Sequence, residues 1–280
     1  VEAFLPGGRA PGAGEKFRCE DQASTLQRIA ETKGEAFYRG DIAEAIVSHA
    51  RDSGGSMTLE DLAAHEAETV EAISVGCGGV ALHEIPPNGQ GLAALIALGI
   101  LERTGVGEFP VNSADSLHLQ FEAMKLAFAD AHRYIADAAF MEVSPEALLD
   151  STYLDERARL IDMKKASVPA HGVPGKGGTV YLAAADERGM MVSFIQSNYM
   201  GFGSGIVVPG TGVGLQNRGA GFVLEEGHPN RVAGGKRPYH TIIPAFVTKD
   251  GVPLMSFGVM GGPMQPQGHV QMVLRIFEYA

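Results

Sequence analysis

The residues best suited to chemistry gather around one threonine. Gly177-Gly178-Thr179 stands at the mouth of a β-like run. A Thr hydroxyl is a weak nucleophile and needs a base. Cutting the Gly178–Thr179 bond would set a new α-amine beside the hydroxyl of the same residue. Such an amine has a pKa of roughly 7.7–8.0, so it is partly neutral at physiological pH. One residue then supplies both nucleophile and base. A Gly before the Thr gives the backbone the freedom to bring hydroxyl and carbonyl together. Taken alone, these residues more often mark a Gly-Gly turn opening a strand.

A second feature is Gly258-Val259-Met260-Gly261-Gly262-Pro263. Adjacent glycines after a strand can aim two backbone N–H groups at one point, as an oxyanion requires. A tight strand-to-helix turn would have the same sequence. The third is the glycine-dense stretch over residues 202–212, which suits a loop lying close to a ligand. It is neither a GxGxxG element opening a helix nor a Walker loop, so nucleotide binding is not expected.

These features need elements to hold them. The chain has 280 residues, 45% hydrophobic and 20% charged, enough for a substantial core. Its formal net charge of -11 would repel a phosphate backbone, which excludes nucleic-acid binding. Cys19 and Cys77 lie far apart with no Cys/His cluster, so neither a zinc site nor a disulfide framework is expected. Residues 91–101, GLAALIALGIL, predict a buried helix, being shorter than the ~20 residues that span a bilayer. Asp21 and Asp41 are expected to cap helices over 22–32 and 42–52, with a Gly-bounded turn over 34–40 between them. Thr58 and Asp61 form a capping-box pattern. Residues 70–82 alternate as a strand does.

The strongest amphipathic pattern, over 113–137, puts Leu117, Phe121, Met124, Phe128 and Ala131 on one face. Asp130 and Asp137 share a face of the same segment, where capping or exposure is commoner than a paired-carboxylate site. Up to Pro169 the chain reads as mainly helical. A Gly/Pro-rich linker over 170–178 follows, then β-rich runs at 179–185, 191–197, 241–247 and 253–259. Asp186-Glu187-Arg188-Gly189 reads as a hairpin turn. Of the nine histidines, His240 is the best placed for a pocket; the others read as surface or helix residues. The chain begins at Val1 rather than Met and stops inside an apolar helical pattern. Truncation at both ends is therefore expected, and a periplasmic, secreted or cytoplasmic location is equally compatible with the sequence.

The three glycine-rich features, in this order, resemble the small subunit of gamma-glutamyltranspeptidases. The resemblance is densest over 178–222, with its F-G-S-G loop and Pro-Gly-Thr-Gly run, and continues through Gly235-Lys236-Arg237-Pro238 and Gly261-Gly262. Upstream, GEAFYRGDIAEAIV (34–47), GGSMTLEDLAAHE (54–66), PPNGQG (86–91) and EAMKLAFADAHRYIAD (122–137) resemble the large subunit. The resemblance implies an α+β fold, the four-layer αββα sandwich of N-terminal-nucleophile hydrolases, incomplete in this chain. It implies self-cleavage between Gly178 and Thr179 into two subunits that stay together as one intertwined domain. Residues 1–178 would be the C-terminal part of the large subunit, and 179–280 the N-terminal part of the small one.

Thr179 would then attack a γ-glutamyl or related amide, with Gly261 and Gly262 holding the oxyanion. Ser197 would assist the nucleophile, and water or an amino acceptor would release the acyl group. No metal or organic cofactor, nucleic acid or transmembrane segment is implied; the partners would be a small-molecule amide and the two subunits of one precursor. The positions expected to meet substrate are Asn198, Tyr199, Arg218, Tyr239 and His240, and several depart from the family pattern. Tyr199 replaces Asn, Arg218 replaces Gln or Glu, Gly221 replaces an Asp that pairs with the substrate ammonium, and Tyr239-His240 replaces Ser-Ser. Losing an acid and gaining a guanidinium fork favours donors with a carboxylate but no required α-ammonium, of oxamate or glutaryl type. The leading reading remains a γ-glutamyl, glutathione-like donor; the carboxylate-bearing donor is its alternative, and a non-catalytic relative that binds a small acidic ligand is a third.

Overall fold

A computed structural model describes residues 3–167 and 178–279. Most of the expected linker, with Gly177, lies outside the described residues. The helices are α1 (Glu20–Thr32), α2 (Glu35–Tyr38), α3 (Asp41–Asp52), α4 (Leu59–Ala63), α5 (Gly91–Leu101), α6 (Ala114–Tyr134), α7 (Pro145–Leu148), α8 (Ser151–Ala158) and α9 (Gln265–Val273). The strands are β1 (Ile73–Cys77), β2 (Val80–Glu84), β3 (Gly178–Ala185), β4 (Met191–Tyr199), β5 (Ala245–Lys249) and β6 (Val252–Phe257). The class is thus α+β.

Two compact units emerge. One joins Val1–Thr69 with Phe202–Asn217, the other Val70–Gly201 with Arg218–Ala280. In the first, Ala36, Ile42, Ile46 and Val208 form a small core. The glycine-dense loop packs there through Val208, and Gly212 lies so close to Gln22 that a Cβ would meet its backbone nitrogen at 2.8 Å. Thr58 and Asp61 do form the capping box. Asp21 and Asp41 are not caps: each sits inside the first turn, where its charge complements the exposed N–H groups. The expected turn between the helices is itself a helical turn, α2.

The second unit is built on α5. All of its residues are buried, so a helix with no polar face is covered on every side. Strands β1, β2, β5 and β6 form an antiparallel sheet in that order. Cross-sheet residues Leu82, Ala245, Val247 and Phe257 share one core with α5, α6 and α9. The β1–β2 hairpin closes at Gly78-Gly79, both with positive φ, which divides the single strand expected over 70–82. The run expected at 241–247 becomes a strand only from Ala245.

On α6 the expected face is buried at Met124 and Ala131, and Phe128 packs against the core, but Phe121 is exposed. Ala123 and Ala127 are buried as well; small residues let α6 approach α5 closely. The helix ends at Tyr134, so Asp137 is not on it: Asp137 caps a short turn by accepting from Ala139 N at 3.1 Å. Asp130 is buried in an ion pair with Arg157 at 2.8 Å. No paired-carboxylate site forms between them. His269 lies on α9, fully buried, with Nδ1 2.6 Å from Glu84 Oε1. No helix of the described residues is long and apolar enough to cross a membrane.

Truncating Leu95, fully buried in α5, removes packing on every side. Leu95→Ala should destabilise the intact protein by roughly 2–5 kcal/mol, read as a lower urea midpoint. An unchanged midpoint would contradict the packing described for α5.

Candidate active site

The second sheet is the β3–β4 hairpin. Asp186 closes it, its Oδ1 accepting from Arg188 N and Met190 N at 2.9 Å each. Strict antiparallel pairing runs from Ala185↔Met191 back to Thr179↔Ser197, then slips, so that Gly178 pairs with Tyr199. Asn198 is the extra residue of this bulge and makes none of the side-chain bonds described below. Bulges redirect side chains and occur often beside active sites. Here the bulge sits one residue from the candidate nucleophile.

The pairing brings Thr179 and Ser197 together: Thr179 Oγ1 donates to Ser197 Oγ at 3.3 Å. Ser197 Oγ also accepts from the backbone N of Tyr199 at 2.9 Å. Tyr199 has φ +81°, costly for an aromatic residue and held here by the bulge and this bond. Its ring lies over the guanidinium of Arg218, 4.4 Å from Cζ to centroid.

Arg218 is 3% exposed, on a short turn at 218–221. Its Nη1 donates to Thr241 Oγ1 at 2.7 Å, whereas Nε and Nη2 have no partner. Burial lowers its pKa to about 10, partly offset by Tyr199, and it stays charged at neutral pH. A buried cation with unused donors is expensive unless an anion joins it.

His240 lies near this charge. Burial, and secondarily Arg218, pushes its pKa down to about 4. It is therefore neutral at working pH, with Nδ1 accepting from Ile242 N at 3.3 Å. The Tyr239 phenol is pushed up, first by burial and then by Tyr199, and it donates to Gln90 Oε1 at 3.0 Å.

The glycine turn follows β6. Gly261 and Gly262 have φ +131° and +61°, values that favour glycine. The hairpin meets the end of β6 through Ser193 Oγ, which donates to Phe257 O at 3.3 Å. Tyr181 lies against Gly258, where a Cβ would be 2.6 Å from its ring.

The sequence reading missed Gln90, although PPNGQG contains it. Its side chain is wholly buried, and Nε2 donates to Gly262 O at 2.9 Å and Thr241 O at 2.6 Å. Asn88 was missed too: its Nδ2 donates to Pro238 O at 2.7 Å, and its carbonyl accepts from His240 N at 3.0 Å.

Thr179, Ser197, Tyr199, Arg218 and Thr241 are thus linked by direct contact. Gly262, Tyr239 and His240 join through Gln90, and Asn88 braces His240. Gly221 offers no acid, and a Cβ there would meet Tyr239 O at 2.5 Å. The Asp of the family pattern does not fit this backbone.

The family model described as gamma-glutamyltranspeptidase matches residues 1–280. The chain belongs to the gamma-glutamyltranspeptidase family. It is 38% identical over 279 residues to a glutathione hydrolase-like proenzyme of Bacillus subtilis, covering 100% of this chain and 53% of that protein. It is 38% identical over 274 residues to the oxamate amidohydrolase proenzyme of Klebsiella pneumoniae, covering 98% of this chain and 51% of that protein. The crystal structure of cephalosporin acylase from Bacillus halodurans superposes with TM-score 0.92 at 50% identity, covering 100% of this chain and 51% of that one. The chain thus spans about half the length of these relatives. They are members of an enzyme family, and the fold is the α+β fold of that family's N-terminal-nucleophile hydrolases.

His240 sets a pH dependence. Its ordinary pKa is near 6.5, so as pH falls the unfolded chain takes up a proton before the folded one does. Stability should therefore fall between about pH 6.5 and about pH 4. His240→Asn, whose carbonyl can replace the Nδ1 acceptor, should flatten that limb in a series of thermal melts. An identical pH slope in both proteins would remove His240 as its source.

Proposed function

We propose that this chain carries the catalytic half-site of a self-cleaving amidohydrolase that prefers acyl donors bearing a carboxylate and no α-ammonium. The observation that carries the reading is Arg218, buried against the ring of Tyr199, two residues from Ser197, with two donors unpartnered. A planar, two-donor edge suits a carboxylate. The carboxylate reaches it as the Tyr199 ring swings off its face. None of the residues gathered around Thr179 is acidic, so nothing there favours an ammonium, and His240 stays neutral.

In maturation, Thr179 Oγ1 attacks the Gly178 carbonyl carbon. The C–N bond breaks, the hydroxyl proton passes to the Thr179 nitrogen, and an ester links Gly178 to Thr179 Oγ1. Water hydrolyses the ester, leaving a Gly178 carboxylate and a free Thr179 α-amine. Residues 1–178 then belong to the large subunit and 179–280 to the small one. In turnover the amine takes the proton from Oγ1 as it attacks the donor amide. Gly261 and Gly262 N–H groups stabilise the oxyanion, the amine product leaves with the proton, and water or an amino acceptor releases the acyl group. Asn198, Tyr199, Tyr239 and His240 would shape the donor pocket.

A γ-glutamyl donor is the second reading, supported by the glutathione hydrolase-like name of one relative. The missing acid at Gly221 counts against it.

Expression from the complete reading frame should yield a smaller band beginning Thr179-Val180-Tyr181, absent in Thr179→Ala. A folded, uncut wild-type chain would instead favour a non-catalytic ligand binder. Kinetically, a glutaryl anilide should be a better donor than its γ-glutamyl counterpart. Arg218→Leu should lower kcat/KM on the glutaryl compound roughly 10- to 100-fold, the worth of a charged hydrogen bond. Preference for the γ-glutamyl donor, lost when its amine is removed, would defeat the substrate assignment.

A further inference from the structure

Gln90 lies at the start of α5, remote in sequence from every residue of the proposed machinery, yet its side chain meets two of their segments. Oε1 accepts from the Tyr239 hydroxyl, and Nε2 donates to Thr241 O and Gly262 O. Its backbone N donates to His240 O at 2.9 Å, which fixes the main chain from which the side chain reaches out. Every polar atom of a wholly buried amide is therefore used, and its O/N orientation is set by its neighbours: a phenol that donates on one side, two carbonyls that accept on the other.

The Gly262 bond matters most. Gly261 and Gly262 both occupy conformations with positive φ, and such a turn has several other accessible shapes. The Gly262 carbonyl is coplanar with the nitrogen of Pro263, which carries no N–H, and is joined to the Gly262 N–H through the torsions of that one residue. Holding Gly262 O against Gln90 therefore restrains those torsions, and through them the direction of the Gly262 N–H. Thr241 is tied twice, its carbonyl to Gln90 and its hydroxyl to Arg218 Nη1, so one amide links the glycine turn to the guanidinium.

We propose that Gln90 is a positioning residue for the reaction, fixing the oxyanion turn relative to Arg218. It touches no reacting atom. The inference rests on the reading of Gly261 and Gly262 as the oxyanion site.

Gln90→Glu is the informative variant. It keeps the shape and the acceptor for Tyr239, but sets a carboxylate oxygen against two carbonyls. Protonation restores one donor, and burial raises a carboxyl pKa, so recovery should fall within reach of assay. Expected are slower self-cleavage and a kcat reduced roughly 10²-fold, the scale of losing an oxyanion donor, with KM nearly unchanged. The ratio of variant to wild-type kcat should rise as pH falls, a signature that simple loss of folding does not produce. Gln90→Met, the same length without polar atoms, should lose activity without that pH recovery.

Wild-type kcat in both variants, or a loss confined to KM, would overturn the proposal. Gly261→Ala separates it from the underlying reading. Full activity in Gly261→Ala removes the oxyanion assignment and this inference with it. Impaired Gly261→Ala beside unimpaired Gln90 variants removes the inference alone.

Discussion

The slip in strand pairing between Gly178 and Thr179 is the constraint on which the site depends. Upstream of it, strict alternation would fix only which face of the hairpin each side chain occupies. The bulge adds a residue on β4, turns Tyr199 to a positive φ and brings its N–H onto Ser197 Oγ. That oxygen accepts from both Thr179 and the main chain. Its position is therefore set by the backbone rather than by a side-chain rotamer. The same distortion places the Tyr199 ring over Arg218. The proposed nucleophile, its hydroxyl neighbour and the ring over Arg218 are thus placed by one local irregularity.

Arg218 gives the site its electrostatic character. Burying a guanidinium with two unused donors costs stability, and folding alone returns nothing for it. Residues that carry such a cost without a structural return are where function is expected. Burial, and secondarily its field, keeps His240 from protonating, so Arg218 stands beside a neutral imidazole.

Much of this was legible in the sequence, for reasons that differ by element. GLAALIALGIL announced α5 because no other setting tolerates eleven residues without a polar face. The glycine pairs marked turns because their φ values exclude other residues. On α6 Met124 and Ala131 lie inside as expected, but Ala123 and Ala127 also take interior places by permitting close approach, and Phe121 is left outside. His269 and Glu84 were illegible, because a buried pair joining residues 185 apart leaves no periodic trace. Gln90 was illegible for the same reason. Its partners lie 149 to 172 residues further along the chain.

Those long-range bonds bear on how a chain could be cut near its catalytic centre without coming apart. β2 pairs with β5, Asn88 holds Pro238 and His240, and Gln90 holds Tyr239, Thr241 and Gly262. Each of these contacts joins a residue before 178 to one after it, and none passes through the Gly178–Thr179 peptide. Breaking that bond would release only the residues beside it, where freedom is needed for a new amine to turn toward its own hydroxyl. The large-scale order of the pocket is held by hydrogen bonds and a shared core. The covalent link across residue 178 is therefore dispensable to the site once those contacts have formed.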